Sequence, residues 1–111
     1  MGILIIREPV NETQLSEMAE VYGSKNKVAV DVGEGILAGG GEMHADCEEA
    51  LLEIGCRQED IWGADWIRSE RKVEFESFIN IRPRHGNRSM EVQDPELRSK
   101  IEIIVRKLLD K

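Results

Sequence analysis

The clearest structural signal in the sequence is KVAVDVGEGILA, which runs from Lys27 to Ala38. Its first six residues place valine at every second position, and this period of two is typical of a β-strand. The triplet Gly33-Glu34-Gly35 has the composition of a tight turn, and Ile36 to Ala38 adds three apolar residues. The segment therefore predicts a β-hairpin.

Three further segments have the composition of strands. Ile3 to Ile6 is a short apolar run, which predicts a buried strand. Ile61 to Ile67 and Val73 to Ile81 predict a second hairpin, because they flank the charged turn Arg68 to Arg71. With the first hairpin, these segments give five strands.

Three amphipathic segments predict helices. In the first, Asn11 and Gln14 have the spacing of a capping box, and Gly23 is the expected stop. The second is predicted over Glu42 to Ile54. The third is expected to begin at Asp94-Pro95, with aspartate as the N-cap and proline in the first turn.

The element order is therefore β-α-β-β-α-β-β-α, which predicts an α+β fold. We expect residues 1–111 to form one domain with a single mixed or antiparallel sheet of about five strands, and helices on mainly one face. A chain of this length buries enough surface to fold without disulfides or metal. Cys47 and Cys56 are predicted to be reduced, and no apolar run is long enough to span a bilayer. The sequence thus predicts a cytoplasmic protein with no membrane partner.

Positive charge is concentrated between Asn80 and Ser89, a segment we call the arginine loop. It contains three arginines and a histidine but no acid, whereas the whole chain has 15 basic against 22 acidic residues. The planar guanidinium group suits carboxylate and phosphate. The segment therefore predicts an anion site whose ligand-binding residues are Arg82, Arg84, His85, Asn87, Arg88 and Ser89, with more weight on Arg84 and Arg88 than on Arg82.

The alternative for the arginine loop is a structural one. In an acidic chain, its arginines can pair with acids such as Glu42, Asp46 or Glu76 and hold the fold together. The sequence leaves both interpretations open.

A second candidate site follows Gly39-Gly40-Gly41, which leads into the predicted second helix. Here His44 and Glu42 are the candidate catalytic residues, as base and acid, with Asp46 as the orienting carboxylate. On a helix His44 would point about 200° away from both acids, so the three converge only if the helix begins after His44. Otherwise the acids complement the helix dipole, and His44 is half-buried against the core.

No metal and no cofactor are predicted. The glycine-rich segment lacks the lysine and the serine or threonine of a phosphate-binding P-loop. The chain also lacks HExxH and closely paired cysteines, which are the usual spacings of zinc ligands.

Four motifs together resemble a small prokaryotic family of unknown function. They are GGGEMHAD at residues 39–46, QEDIWG at 58–63, INIRP at 79–83 and GNRS at 86–89. The resemblance extends from the first strand to the last helix. It implies a single-domain bacterial or archaeal protein without an assigned activity, and it supplies no catalytic residues.

Three functions are compatible with these features, and whether the protein is an enzyme stays open. The first is binding of an anionic small molecule, such as phosphate, a nucleotide or a carboxylate, at the arginine loop near Glu42 to Asp46. The second is a homodimer or protein-interaction module that uses Trp62, Trp66 and Phe78. The third is RNA binding, which the net charge of −7 disfavours.

Overall fold

A computed structural model describes residues 3–19 and 25–110 of the chain. Its centre is an antiparallel sheet with the strand order β1-β3-β2-β4-β5. The strands are β1 (Leu4–Ile6), β2 (Lys25–Asp31), β3 (Ile36–Gly39), β4 (Ile61–Ile67) and β5 (Lys72–Glu74). The predicted α+β class, element order and five-stranded sheet are confirmed.

The predicted central hairpin is formed by β2 and β3. Asp31 pairs with Ile36 at its closed end, and one carboxylate oxygen of Asp31 accepts hydrogen bonds from the backbone N–H groups of Gly33 and Glu34 at 2.8 and 3.0 Å. Gly35 has a φ of 72°, in the left-handed region that glycine adopts without strain. The buried aspartate therefore fixes the turn.

The three helices begin close to the predicted signals. They are α1 (Glu12–Ala19), α2 (His44–Glu53) and α3 (Pro95–Leu109). At the start of α1, Gln14 N–H donates to the Asn11 side chain at 2.8 Å and Asn11 N–H donates to the Gln14 side chain at 3.1 Å. This confirms the capping box, and Asp94 likewise caps α3.

One predicted helix limit differs from the structure, and another falls on residues that the structure does not describe. Helix α2 begins at His44, two residues after the predicted Glu42, because Met43 already has an extended backbone. The predicted stop of α1 at Gly23 lies outside the described residues.

The helices cover both faces of the sheet, so the expectation of helices on mainly one face is wrong. On one face, strand residues such as Val28 and Trp66 pack with α1 and α3. On the other face, Ala29 and Ile61 pack with Leu51 of α2. The cause is visible in β2 and β4, where successive residues point to opposite faces and both sets are buried.

The last predicted strand is wrong beyond Glu74. Instead of continuing to Ile81, the chain forms a 3₁₀ turn at Phe78–Asn80. The Ser77 hydroxyl accepts a hydrogen bond from the Ile79 N–H at 3.2 Å. Such local side-chain bonds compete with strand pairing for backbone groups, and alternation of apolar residues alone does not reveal them.

Within residues 3–19 and 25–110, no helix has both the length and the apolar character needed to cross a membrane.

Candidate functional site

The arginine loop is attached to the sheet through the buried amide of Asn80. The side-chain oxygen of Asn80 accepts from the Gly63 N–H at 2.8 Å. The side-chain NH₂ group donates to the backbone oxygens of Gly63 at 3.0 Å and Met90 at 3.1 Å. Strand β5 pairs with Asp65 to Ile67, at the end of β4. At Gly63, earlier in β4, the side-chain amide of Asn80 forms the hydrogen bonds that a neighbouring strand would form.

This attachment depends on Gly63. A Cβ atom there would come within 2.5 Å of the Ser77 Cβ and 2.7 Å of the Ser77 Oγ, distances that side chains do not tolerate without a backbone shift. Glycine therefore lets the segment after β5 lie directly against β4.

A second buried amide, that of Asn87, folds the loop back on itself. Its NH₂ group donates to the backbone oxygens of Asn80, Ser89 and Glu91 at 2.7, 2.9 and 3.0 Å, and its oxygen accepts from the Gln93 N–H at 2.8 Å. The NH₂ group and the oxygen of this side chain thus all have partners within the arginine loop or directly after it.

Arg82 lies at the base of the loop with its side chain 9% exposed. Its guanidinium group donates to Glu48 at 3.1 Å and to the backbone oxygens of Gln58 at 2.6 Å and Ile79 at 2.9 Å. It also lies 4.6 Å from the centroid of the Trp62 ring. Burial lowers the pKa of Arg82, and the Glu48 carboxylate opposes this effect. The acid that pairs with Arg82 is therefore Glu48, rather than Glu42, Asp46 or Glu76.

The six predicted ligand-binding residues fall into two groups. Arg82, Asn87 and Ser89 bond within the fold, the Ser89 hydroxyl accepting from the Glu91 N–H at 3.0 Å. Arg84, His85 and Arg88 are exposed, and their side chains contact no charged or hydrogen-bonding partner in the described part of the chain.

His44 pairs with Asp65, an aspartate that is not among the residues predicted for the site. Its Nε2 atom lies 2.9 Å from the Asp65 carboxylate and 3.0 Å from the backbone oxygen of Ala64. His44 is the first residue of α2, so the condition for convergence with Glu42 and Asp46 is not met. Those two acids line a separate cavity with Gly40 and Gly41.

The two neighbours of Nε2 determine the tautomer of neutral His44. A carboxylate oxygen and a carbonyl oxygen both accept hydrogen bonds, so Nε2 must carry the hydrogen. The other nitrogen, Nδ1, then has a lone pair, and it has no hydrogen-bond partner among the residues that the structure describes.

We expect ¹⁵N NMR of the protein, with His44 neutral, to show the Nε2–H tautomer at this residue. His85 is exposed and serves as the internal reference, since it should show the mixture of tautomers of a solvated imidazole. An Nδ1–H tautomer at His44 would contradict the pairing with Asp65.

His44 lines a groove of about 150 Å³ between the start of α2 and the 3₁₀ turn after β5. The groove residues are Lys27, Met43, His44, Ala45, Ser77, Phe78 and Ile79. Met43 is 57% and Phe78 75% exposed. The imidazole is thus placed beside an unusually exposed apolar surface.

A family model described as "Protein of unknown function (DUF5674)" matches residues 4–108. The chain belongs to the DUF5674 family. This match confirms the resemblance to a family of unknown function. The chain matches no curated protein and no solved structure.

The thiols of this DUF5674 member are protonated near neutral pH. Burial raises the pKa of Cys47 to about 11. Burial, followed by the nearby Asp31 carboxylate, raises the pKa of Cys56 to about 11. Neither therefore has the thiolate character of a nucleophile.

Among the residues described for this family member, no three His, Cys, Asp or Glu side chains are grouped so that they could hold a metal ion. The candidate groups are therefore the exposed basic side chains of the arginine loop and the His44–Asp65 pair. A signal for the second was present in the sequence, since Asp65 interrupts an otherwise apolar predicted strand. The identity of its partner was not, because His44 lies 21 residues away.

Proposed function

We propose that the chain binds an anionic group of a small molecule, such as a phosphate, a nucleotide or a carboxylate, through Arg84, His85 and Arg88. The observation that supports this most is the contrast within the arginine loop. Buried side chains fix its backbone, while its three outer basic side chains reach solvent. The loop therefore presents a fixed arrangement of positive charge.

A rigid loop is better suited to binding than a mobile one. Long irregular segments in compact domains are commonly functional, and ordering a loop before binding removes part of the entropic cost of association. Here Asn80 and Asn87 supply that order through their buried hydrogen bonds. Arg82, which forms an ion pair with Glu48 at the base of the loop, stabilises the same arrangement.

The negative charge of the rest of the chain favours binding of a small anion at the loop over binding of an extended polyanion. The chain has a net charge of −7, which repels an extended polyanion but is screened over about 8–10 Å at physiological salt. A small anion that contacts only the loop experiences mainly the arginines, each able to offer two parallel hydrogen bonds.

We expect titration calorimetry with phosphate, ATP and citrate to detect binding to the wild-type protein by at least one of them. The double variant Arg84→Gln/Arg88→Gln should lose about tenfold or more in affinity, because hydrogen bonds to charged groups contribute about 1.5–3 kcal/mol each. The matched control is Lys100→Gln/Lys107→Gln, which removes two exposed charges from α3 and should bind normally.

Two results would reject this proposal. One is no heat of binding and no rise in melting temperature with any of the three anions. The other is an equal loss of affinity in both double variants, since that would indicate an effect of net charge alone.

A protein-interaction role is the second candidate, and the exposed apolar side chains favour it. Trp62 and Trp66 are buried, whereas Phe78, Met43 and Ile81 are exposed. A homodimer would therefore use Phe78 rather than the tryptophans, and sedimentation of the wild type against Phe78→Ser tests this. RNA binding remains the third candidate, and it requires an affinity that falls steeply with salt. The prokaryotic and cytoplasmic assignments remain predictions from the sequence.

A further inference from the structure

The His44–Asp65 pair occupies an unusual place in the fold. Asp65 lies within β4, a strand in which all seven residues are buried, and its side chain is 6% exposed. One carboxylate oxygen faces His44 at 2.9 Å and the other faces Lys25 at 3.6 Å. A buried carboxylate is costly unless it is paired, so Asp65 is held between two partners.

The two ring nitrogens of His44 have different roles in this pair. Asp65 occupies Nε2 of His44 and fixes the orientation of the ring, while Nδ1 keeps its lone pair. His44 lines the apolar groove with Phe78 and Ile79. A carboxylate that orients an imidazole, with the opposite nitrogen unbonded, is the arrangement that general-base catalysis uses.

We propose that His44 is a general base for water that attacks a small ester bound in this groove, and that Asp65 is its positioning residue. This site shares no residue with the proposed anion site at Arg84, His85 and Arg88. The apolar walls formed by Met43, Phe78 and Ile79 favour a substrate with an aromatic or aliphatic group.

The proton and bond changes balance without a further reactant. As the water oxygen bonds to the ester carbonyl carbon, its O–H bond breaks and the proton moves to Nδ1 of His44. The imidazolium so formed keeps its Nε2–H bond to Asp65, whose negative charge stabilises it. The C–O bond to the alcohol then breaks, and the proton passes from Nδ1 to the alkoxide.

Water is the nucleophile because Ser77, the hydroxyl residue of the groove, is itself engaged. Ser77 is 3% exposed, and its Oγ accepts from the Ile79 N–H at 3.2 Å. Three charged groups lie near His44: Asp65 bonds to it, Lys25 lies beyond Asp65, and Lys27 lines the same groove.

The probe for this site is p-nitrophenyl acetate, which is hydrolysed to acetate and p-nitrophenol. The wild-type protein should accelerate hydrolysis above the buffer rate. His44→Gln should lose about tenfold or more of this acceleration, since a positioned general base contributes about 10²–10⁴-fold. The matched control is Glu53→Gln, which changes an exposed residue of the same helix α2 and should retain the wild-type rate.

Two further variants separate catalysis from folding. Phe78 is 75% exposed, so Phe78→Ala should melt like the wild type while it raises KM with little change in kcat. Asp65→Asn should lower kcat and alter the pH profile of the reaction, which a purely structural aspartate would not do.

Three results would overturn the assignment. The first is no acceleration by the wild-type protein. The second is an equal loss in His44→Gln and Glu53→Gln, which would mean that the acceleration does not depend on the imidazole. The third is a folded Phe78→Ala protein whose KM for p-nitrophenyl acetate equals that of the wild type. This result decides the case if His44→Gln fails to fold.

Discussion

Asn80→Ala is expected to lower the free energy of unfolding by about 4 kcal/mol, because a buried polar group left without a partner costs about 1–3 kcal/mol. The substitution removes the amide that bonds Gly63 on both its N–H and its C=O, and that also reaches the Met90 oxygen. Asn80 is 0% exposed, so water cannot replace these bonds without opening the structure.

Urea denaturation followed by circular dichroism measures this loss. The matched control is Asn11→Ala, which removes an exposed helix cap and should cost about 1 kcal/mol. A similar, small loss in both variants would show that the Asn80 bonds do not hold the loop to β4.

Arg82→Met is expected to lower the free energy of unfolding by about 3 kcal/mol, because breaking one side of a buried ion pair costs about 3–5 kcal/mol. Methionine keeps much of the apolar stem but leaves the Glu48 carboxylate, 13% exposed, without its guanidinium partner. It also removes the donors to the backbone oxygens of Gln58 and Ile79.

Two comparisons make the Arg82 result interpretable. Arg57→Met breaks an exposed ion pair with Glu59 and should cost less than about 1 kcal/mol. The double variant Arg82→Met/Glu48→Met should recover part of the loss, because apolar replacement of a whole buried pair is often tolerated. An Arg82→Met protein as stable as Arg57→Met would contradict the structural role of Arg82.

The parts of the fold that the sequence predicts well depend on neighbouring residues. The capping box of Asn11 and Gln14 joins residues three apart, and the Asp31 turn joins residues two and three apart. In both cases the bonded groups are close along the chain, so residue type and spacing are sufficient.

The errors arise where distant residues determine the structure. The segment after Glu74 leaves the sheet because Asn80 bonds to Gly63, 17 residues earlier. The end of β5 determines which part of β4 has no strand partner and can bond to a side chain instead. No pattern among neighbouring residues indicates where β5 ends. The placement of helices on both faces has the same origin, since it depends on how α2 returns across β2 and β4.

The candidate sites divide in the same way. Composition located the arginine loop, but it did not distinguish Arg82, which bonds to Glu48 34 residues away, from the exposed Arg84 and Arg88. His44 was singled out with the acids beside it in sequence, whereas its partner in the structure is Asp65 on β4. Residue types suggested the chemistry, and the tertiary fold determined the pairing.

The bond between Asn80 and Gly63 also bears on self-association. An edge of a sheet with unsatisfied N–H and C=O groups is a template on which another chain can add a strand. The Asn80 amide already bonds to both the N–H and the C=O of Gly63. A strand from a second molecule therefore cannot pair with β4 at this residue. The arginine loop thus protects this position of β4 from strand addition while it displays its basic side chains to solvent.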